Sequence, residues 1–531
     1  TRSGIVQSVH AFGEDPELGR MFIIFMITIA VVSFGFVIYR LPMLKARNEL
    51  ESWASREGAF LANNWILLFS AFFILFATMF PTITEALSGE RMTVGPPFFN
   101  KWMTPVGLML LFLTGVGPLL AWRKTSAGNL IQQFLWPTVA GLTAGGLAVA
   151  LGVRVWSSGV CFALCGFVIG TISQEYIRGA SVRAATSGAD LVTAMVGLVG
   201  RNKRRYGGYI VHVGIVLMFL GFAGEGMSTD EQLLLKPGNE AVVGKYIIHL
   251  DAIRATDDGQ KQMVTGHITV KTSEGREIGK LYPAKWYFRK HEEEPTTEVA
   301  IRHSVAEDLY VVMAGYELQE QTASIEVHIN PLINWVWVGF GVLAIGTMIA
   351  LLPETAVTFA LSKLPAEAAT VSLLLLMLLL GPAAAAAQHV ETPQMGVVLR
   401  TAAEKAVTSK LACWCGCPRL PVGSCACGMC ALERQNVQAM LNEGKSEAAI
   451  LQHYIDQQGG LHVLIEPPNE GVGKLSWMVP YGAGMSGLLL AGFVAVRWSR
   501  RSDADALAAG ATPSEDAALG SRLDDELRDL D

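Results

Sequence analysis

Residues 21–39 read MFIIFMITIAVVSFGFVIY, an uncharged stretch in which nearly every side chain is apolar. A helix of about 20 apolar residues spans the roughly 30 Å hydrocarbon core of a bilayer. The rest of the chain contains further runs of this kind, about nine in all. They lie near residues 21–39, 62–80, 103–121, 133–152, 158–177, 209–225, 332–352, 370–387 and 477–497. The sequence therefore predicts an α-helical polytopic membrane protein with about nine transmembrane helices.

The composition also indicates a membrane protein. Of the 531 residues, 51% are hydrophobic and only 17% are charged, which is more apolar than an ordinary soluble protein. The net charge of -6 is small for this length, and nothing in the sequence indicates a basic face for nucleic acid. We therefore exclude nucleic acid as a partner and expect membrane lipid around the helices.

Basic residues in the short loops predict the orientation of the helices, because cytoplasmic loops retain positive charge. Three loops and the segment after the last apolar run are basic, and they alternate correctly along the chain. Their basic residues are Arg40, Lys45, Arg47, Arg56, Arg123, Lys124, Arg201, Lys203, Arg204, Arg205, Arg497, Arg500 and Arg501. The N-terminus and residues 83–102, 228–330 and 388–476 are then expected on the extracytoplasmic face.

Two polar regions interrupt the apolar runs. Residues 228–330 contain alternating apolar stretches separated by Gly or Asp, which predict an extracytoplasmic antiparallel β domain, a small barrel or sandwich. Residues 388–476 have a helical period, with amphipathic segments at 431–441 and 445–457 linked through Gly444. This second region predicts a small extracytoplasmic helical domain.

The apolar run 370–387 has the form of a secretory leader, since it ends in Pro382 and five alanines before Gln388. Such a segment in the middle of a chain indicates that two proteins were joined here. The expected divisions are a transmembrane region, the β domain, a closing helix with its linker, a leader-like segment with the second protein, and an acidic cytoplasmic tail. Their predicted bounds are 1–227, 228–330, 331–369, 370–498 and 499–531.

Six cysteines lie in the stretch LACWCGCPRLPVGSCACGMC, residues 411–430. Three interpretations remain open: thiols for disulfide exchange, a Zn site of four cysteines, and fixed structural disulfides. The predicted extracytoplasmic location is one where disulfides form and persist. The other two cysteines, Cys161 and Cys165, lie in an apolar run where cysteine usually behaves as a small hydrophobe, and we assign them no function.

Two histidines lie near predicted membrane boundaries. His10 precedes the first apolar run, and His212 lies just inside the sixth, where an ionisable group is costly enough to be a functional candidate. Taken alone, His10 has the features of a solvated loop residue. The alternative for His212 is a histidine bonded to a helix carbonyl.

Three stretches, in order, resemble the CcmF family of cytochrome c haem lyase subunits. They are TRSGIVQSVHAF (1–12), VGPPFFN (94–100) and YGGYIVHVG (206–214), and NPLINW (330–335) closes the resemblance. The resemblance covers roughly residues 1–353. It implies that His10 ligates haem in transit at the outer face and that His212 ligates the iron of a transmembrane haem b.

Part of the family's pattern is absent. Its Trp-rich haem-handling segment, Trp-Gly-x-Trp-Trp, does not occur among the 12 tryptophans, and the second histidine expected for each haem is not recognisable. We therefore expect a separate polypeptide that carries the Trp-rich half. The start at Thr1, without an initiator Met or a leader, likewise suggests a truncation or a fragment.

Residues 370–498 resemble CcmH-type thiol reductase subunits. After the cysteines, EGKSEAAIL (443–451), EPP (466–468) and Trp477 follow in the family's order. The resemblance implies a cysteine pair that keeps the thiols of an apocytochrome reduced. The usual Leu-x-Cys-x-x-Cys spacing is altered, so the catalytic pair stays open among Cys413, Cys415, Cys417, Cys427 and Cys430.

Together the resemblances imply a bacterial inner-membrane enzyme subunit, a haem lyase with thiol–disulfide oxidoreductase activity. Haem handling and thiol reduction would act together so that haem vinyl groups form thioether bonds to an apocytochrome Cys-x-x-Cys segment. The expected partners are a haem chaperone, apocytochrome c and an upstream thiol reductant. The alternatives are a haem-independent transmembrane thiol–disulfide conduit and a non-catalytic scaffold that binds Zn.

Overall fold

The computed structural model describes most of the chain. The described residues are 16–44, 50, 52–90, 92–122, 125–188, 190–289, 291–352, 401–413, 420–423 and 428–508. The chain divides into two compact units. One comprises Thr1–Phe73, Leu120–Leu130 and Leu475–Asp531, and the other comprises Ile74–Leu119 and Ile131–Lys474.

Helices form the apolar part of the chain. They are α1 (Pro16–Leu44), α2 (Arg56–Ser88), α3 (Pro96–Val116), α4 (Ala127–Ala150), α5 (Trp156–Ser187), α6 (Leu191–Arg201), α7 (Lys203–Ala223) and α8 (Asn334–Leu351). Within the described residues, six helical segments are long and apolar enough to cross a membrane. They are Gly19–Met43, Arg56–Ser88, Pro96–Leu119, Trp156–Ser187, Lys203–Met227 and Asn334–Leu351. The chain is therefore a multi-pass membrane protein.

The predicted apolar runs that fall on described residues are all helical. The runs 133–152 and 477–497 form helices that are not among the six candidate spans found in the described part of the chain. The run 370–387 lies outside the described residues. The count of about nine transmembrane helices therefore stays a prediction.

The basic segment predicted as a loop before the sixth apolar run is mostly helical. Asp190 caps α6, since its carboxylate accepts hydrogen bonds from the N–H groups of Val192 (3.0 Å) and Thr193 (3.1 Å). Asn202 then caps α7, which begins at Lys203. The basic residues Lys203–Arg205 therefore form the first turn of α7 rather than a loop.

The region between α7 and α8 is an antiparallel β-sandwich, which confirms the predicted antiparallel β domain and selects the sandwich over the barrel. One sheet has the strand order β1-β10-β9-β8, and the other has β2-β3-β4-β6-β7 with β5 paired to β4. The strands are β1 (Thr229–Leu235), β2 (Glu240–Val243), β3 (Tyr246–Asp257), β4 (Lys261–Thr272), β5 (Glu277–Leu281), β6 (Ala284–Phe288), β7 (His291–Glu298), β8 (Ala300–Arg302), β9 (Glu307–Glu317) and β10 (Thr322–Pro331).

Alternating side chains explain how the sandwich closes. On β10, Ile325 and Val327 are fully buried, whereas Glu326 and His328 between and after them are partly exposed. The buried residues join Ile248 on β3 in one apolar core. Burial of each such aliphatic side chain contributes about 1.5–3 kcal/mol, so this pattern fixes which face of β10 points inward.

The stability of the sandwich should depend on pH through His328. Its Nδ1 lies 2.7 Å from Asp230 Oδ1, and its Nε2 lies 3.9 Å from Glu326 Oε2. The hydrogen bond with Asp230, followed by the nearby carboxylate of Glu326, raises the pKa of His328 to about 9. Because this is above the value of about 6.5 in an unfolded chain, the stabilisation is complete below pH ~6.5 and is lost as the pH rises through about 9.

We therefore expect the wild-type protein to lose more thermal stability between pH 6 and pH 9.5 than His328→Gln, measured as unfolding temperature in detergent. The difference should be modest and should shrink in high salt, because Asp230 is 64% exposed. Equal losses in the two proteins would contradict this role of His328.

The sandwich begins and ends at one corner. A Cβ on Gly224, just after α7, would overlap the carbonyl oxygen of Pro331 at the end of β10. Leu332 then adopts a positive φ of 62°. The Asn334 side-chain amide donates to Ser304 O (2.7 Å) and to Asp308 Oδ1. The NPLINW stretch therefore fixes the turn from β10 into α8.

The described C-terminal part is mainly helical. Its helices are α9 (Ala402–Thr408), α10 (Gly428–Asn442), α11 (Glu447–Gln458) and α12 (Lys474–Ala508). Thr401 and Glu404 form a capping box at the start of α9. Gly444, with φ 82°, lies in the turn between α10 and α11. The predicted amphipathic segments 431–441 and 445–457 thus fall on α10 and α11.

Candidate functional site

The helix that carries His212, α7, contacts α8 backbone to backbone. A Cβ on Gly214 would lie 2.5 Å from Leu343 N and 2.7 Å from Gly339 O. A Cβ on Gly346 of α8 would lie 2.7 Å from Val211 N. Small residues permit this close approach, which is how helices associate where lipid removes the hydrophobic driving force. These glycines therefore set the position of α7 against α8.

His212 lies on another face of α7, one turn after Tyr209 and one turn before Val216, both of which pack in the cluster shared with α5. Its Nδ1 atom is buried and has no hydrogen-bond partner among the described residues. An imidazole nitrogen in that state costs about 1–3 kcal/mol, because it has lost water and gained nothing. The described residues therefore leave one ring nitrogen of His212 without a hydrogen-bond partner.

The two cysteines of α5 contact the same helix. Cys161 Sγ donates to Phe219 O at 3.4 Å, and Cys165 Sγ donates to Val216 O at 3.7 Å. Both side chains are buried in the apolar cluster between α5 and α7. This packing agrees with cysteines that act as small hydrophobes.

A charged cluster, which the sequence alone does not predict, joins α5 and α7 near the start of α7. The buried Glu175 carboxylate lies 3.0 Å from both Arg178 and Arg205. Arg205 Nε also donates to Tyr209 Oη at 3.3 Å. In the sequence, Arg205 is one of several basic residues that indicate orientation. The signal for the cluster was Glu175 itself, an acidic residue inside the apolar run 158–177.

Cys413 belongs to a small set of paired extended segments. Cys413 N donates to Leu420 O (2.9 Å) and Val422 N donates to Leu411 O (2.7 Å), so residues 411–413 pair with 420–422. On the other side, Ala412 N donates to Val463 O (2.7 Å). The backbone around Cys413 is therefore held from both sides.

Cys430 reaches the same apolar core from α10. Cys413 is 3% exposed and Cys430 is 1% exposed, and both belong to one cluster with Val437 and Tyr454. Burial raises the pKa of Tyr454, and its hydroxyl stays protonated and donates to Glu433 Oε2 at 2.7 Å. The fold therefore brings together two of the predicted thiols that lie at opposite ends of the cysteine-rich stretch.

Several predicted site residues fall outside the described residues. These are His10, Cys415, Cys417 and Cys427. The stretch 94–100, the second of those that resemble the CcmF family, is described, with Gly95 at the N-cap of α3 and Phe98 fully buried. Among the residues that are described, no group of three or more His, Cys, Asp or Glu side chains could hold a metal ion.

Comparison with protein families matches two regions of the chain. Residues 226–331 match the model of the CcmF C-terminal β-sandwich. Residues 373–523 match the CcmH model, described as cytochrome C biogenesis protein. The chain carries a CcmF C-terminal domain and a CcmH domain. The CcmF match coincides with the sandwich between α7 and α8, and the CcmH match contains Cys413 and Cys430.

Curated relatives extend the CcmF resemblance to the transmembrane helices. Cytochrome c-type biogenesis protein CcmF of Pseudomonas fluorescens is 30% identical over 356 residues, which is 66% of this chain and 51% of the relative. CcmF of Pseudomonas aeruginosa is 28% identical over 355 residues, 66% of this chain and 52% of the relative. The chain thus spans about half the length of the curated relatives it matches.

A solved structure titled Cytochrome c Heme Lyase CcmF has the same fold over part of its length. The TM-score is 0.50 with 21% sequence identity, covering 65% of this chain and 52% of that chain. At this identity the likeness bears on the fold alone. It supports the arrangement of helices and sandwich in the CcmF part of the chain.

Proposed function

We propose that this chain handles haem and reduces apocytochrome thiols during cytochrome c maturation. The observation that carries the proposal is the shared core of Cys413 and Cys430 in a CcmH domain that the same chain joins to a CcmF domain. Joining the two parts raises the effective concentration of each at the other's substrate. The proposed enzyme is a haem lyase with thiol–disulfide oxidoreductase activity.

In the thiol step, the disulfide bond passes from the two substrate sulfur atoms to two sulfur atoms of this chain. One thiolate, of Cys413 or Cys430, attacks the disulfide of an apocytochrome Cys-x-x-Cys segment and forms a mixed disulfide. The second thiol of the chain then displaces the substrate sulfur, so the chain gains a disulfide and the substrate gains two thiols. A separate dithiol reductant returns the chain's pair to thiols. Each substrate thiol then adds its S–H across one haem vinyl group.

Cys430 lies on α10 and packs in the apolar core that also holds Cys413. A thiolate is the nucleophilic form of cysteine. Cys415, Cys417 and Cys427 remain candidates for further redox steps in the same stretch.

The CcmF part fits a haem b at His212. The His212 Nδ1 is buried without a partner among the described residues, so nothing described there competes with a ligand for the imidazole ring. Imidazole is a common axial ligand of haem iron, and a bound haem b would supply one-electron transfer. His212 would hold the iron, while the backbone contact of α7 with α8 would orient the imidazole. His10 is proposed to ligate substrate haem at the outer face.

The remaining assignments follow from the same proposal. The protein would lie in the bacterial inner membrane with the sandwich and the CcmH domain on the periplasmic side, as the basic loops predict. Its partners would be a polypeptide with the Trp-rich segment, a haem chaperone, apocytochrome c and an upstream thiol reductant. Zn binding by the cysteines stays the weaker alternative, because the resemblance to CcmH-type subunits implies a redox pair.

If the two cysteines reduce apocytochrome thiols, replacing either one should reduce the amount of covalently bound haem, and an external reductant should restore it. Cells that depend on the full chain should lose covalently bound haem several-fold with Cys413→Ser or Cys430→Ser, measured by haem stain on denaturing gels. Dithiothreitol in the medium should restore the signal, because it supplies the missing thiol reduction. Cys161→Ala, in the apolar cluster of α5, is the matched control and should retain the wild-type signal.

Two results would contradict the thiol role. One is a normal haem signal in both serine variants. The other is a lost signal that dithiothreitol does not restore although the variant accumulates normally, which would indicate a structural role for the two buried side chains.

A further inference from the structure

The loop before α3 is hydrogen-bonded to the CcmH domain. Thr93 Oγ1 donates to Leu464 O at 2.8 Å, and its distance to His462 O is 3.4 Å. Gly95 N donates to Ile465 O at 2.9 Å. Thr93 is only 2% exposed. Two parts of the chain that are nearly 370 residues apart therefore meet through buried polar contacts.

These bonds extend the segments that hold Cys413. Ile465 N donates to Lys410 O at 2.9 Å, while its carbonyl accepts from Gly95. Residues 463–465 therefore lie between 93–95 on one side and 410–412 on the other. The spatial order is 93–95, 463–465, 410–413 and 420–422, which resembles strand addition to an existing edge.

The loop is anchored to helices at both ends. Met92 N donates to Thr84 Oγ1 of α2 at 3.0 Å. Gly95 is the N-cap of α3, and its carbonyl accepts from Phe98 N at 3.1 Å. A short segment held at both ends gives a partner a defined place rather than a range of places.

The fit is close at Gly95. A Cβ there would lie 2.7 Å from Ile465 Cδ1 and 3.0 Å from Ile465 O. A side chain at this position would have to displace Ile465 or separate the two segments. Gly95 therefore has a steric role at the contact, and Thr93 has a hydrogen-bonding role.

We propose that Thr93–Gly95 is a docking segment that holds the CcmH domain at the N-terminal end of α3 through its hydrogen bonds to Leu464 and Ile465. Its consequence rests on the proposed function: the docking sets where the Cys413 thiol meets a protein disulfide presented to the CcmF part. Thr93 and Gly95 are positioning residues in this proposal, since neither touches a reacting atom.

The docking itself is tested without any cytochrome. In the purified full chain, Thr93→Val should speed amide hydrogen exchange at Gly95 about two- to tenfold, as loss of one hydrogen bond implies. The amide of Ala412, which is bonded within the CcmH domain, should be unchanged. Thr93→Ser keeps the hydroxyl and should restore slow exchange at Gly95. Unchanged exchange at Gly95 in Thr93→Val would overturn the proposed docking segment.

A second variant tests the contact through its steric fit rather than through the Thr93 hydrogen bond. Gly95→Val should also expose the Gly95 contact, because its side chain overlaps Ile465. Gly117→Val is the matched control, since nothing lies within 4 Å of a Cβ at Gly117. Equal amide hydrogen exchange at residue 95 in these two variants would argue against the steric fit at Gly95.

The positioning role is tested by comparing a small and a large disulfide. Thr93→Val should react with 5,5′-dithiobis(2-nitrobenzoate) at the wild-type rate, because a small probe needs no docking. It should reduce a disulfide-bonded apocytochrome several-fold more slowly, and Thr93→Ser should restore the rate. Equal slowing with both disulfides, or slowing with neither while docking is lost, would overturn the positioning role. A normal haem signal in Cys413→Ser and Cys430→Ser would instead contradict the proposed function, without affecting the hydrogen-exchange evidence for docking.

Discussion

Gly214→Val is expected to lower the free energy of unfolding by about 1–3 kcal/mol or more, the range found when extra carbon is forced into a packed interior. The Cβ would lie 2.5 Å from Leu343 N and 2.7 Å from Gly339 O, and both neighbours are backbone atoms. Backbone cannot rotate away as a flexible side chain can. The two helices must therefore separate, and the backbone contact of α7 with α8 at Gly214 is lost.

Two glycines provide matched controls for this substitution. Gly208 on α7 and Gly341 on α8 have nothing within 4 Å of a Cβ position. Gly208→Val and Gly341→Val change the same atoms in the same kind of helix but leave the contact intact. Thermal unfolding in detergent, followed by tryptophan fluorescence, should give only Gly214→Val an unfolding temperature well below that of the wild type. If all three variants unfold at one temperature, the backbone contact has no special role.

His212→Gly is expected to abolish the visible absorbance of haem b, if the purified complex carries one at this residue as proposed. Removal of the imidazole leaves the iron without that ligand, and no other histidine lies on α7. Imidazole added to the buffer should enter the space left by the side chain and restore the absorbance. A purely structural histidine would not be replaced in this way, so the rescue separates ligation from packing.

Ile215→Gly is the matched control, since glycine in a helix interior costs about 1 kcal/mol at either position. This variant should keep its absorbance without imidazole. Unchanged bands in His212→Gly would remove the residue from the haem site. Bands that are lost and not restored by imidazole would assign His212 a role in folding instead.

The sequence predicted the elements whose signals are local. Apolar runs such as 21–39 become helices because a bilayer needs that length of uncharged chain. The alternation around Ile325 and Val327 predicts a strand because successive side chains point to opposite faces. The Asp190 and Asn202 caps explain the two helix starts that were missed, since each lay inside a segment interpreted only by its charge.

Contacts between segments that are far apart in the chain cannot be predicted from the residues next to them. Nothing near Thr93 indicates that it pairs with residues 462–465, and nothing near Cys413 indicates that it shares a core with Cys430. The pairing of Glu175 with Arg205 depends on how α5 packs on α7. Such contacts depend on tertiary packing, which periodicity and composition do not encode. The contact of Thr93 and Gly95 exists only in the folded chain, where their hydrogen bonds reach residues 464 and 465 within the CcmH match.

Because the sandwich begins and ends at the corner of Gly224 and Pro331, the pairing of its strands sets where α8 starts relative to α7. β10 is paired with β1 from Thr229↔Ile329 onward and leads within a few residues into α8. A slip of one residue in that pairing would move the start of α8 by about 3.3 Å, or roughly two residues of helix rise. Gly339 would then no longer meet Gly214. The hydrogen-bond register of a polar domain thus determines which atoms meet inside the membrane.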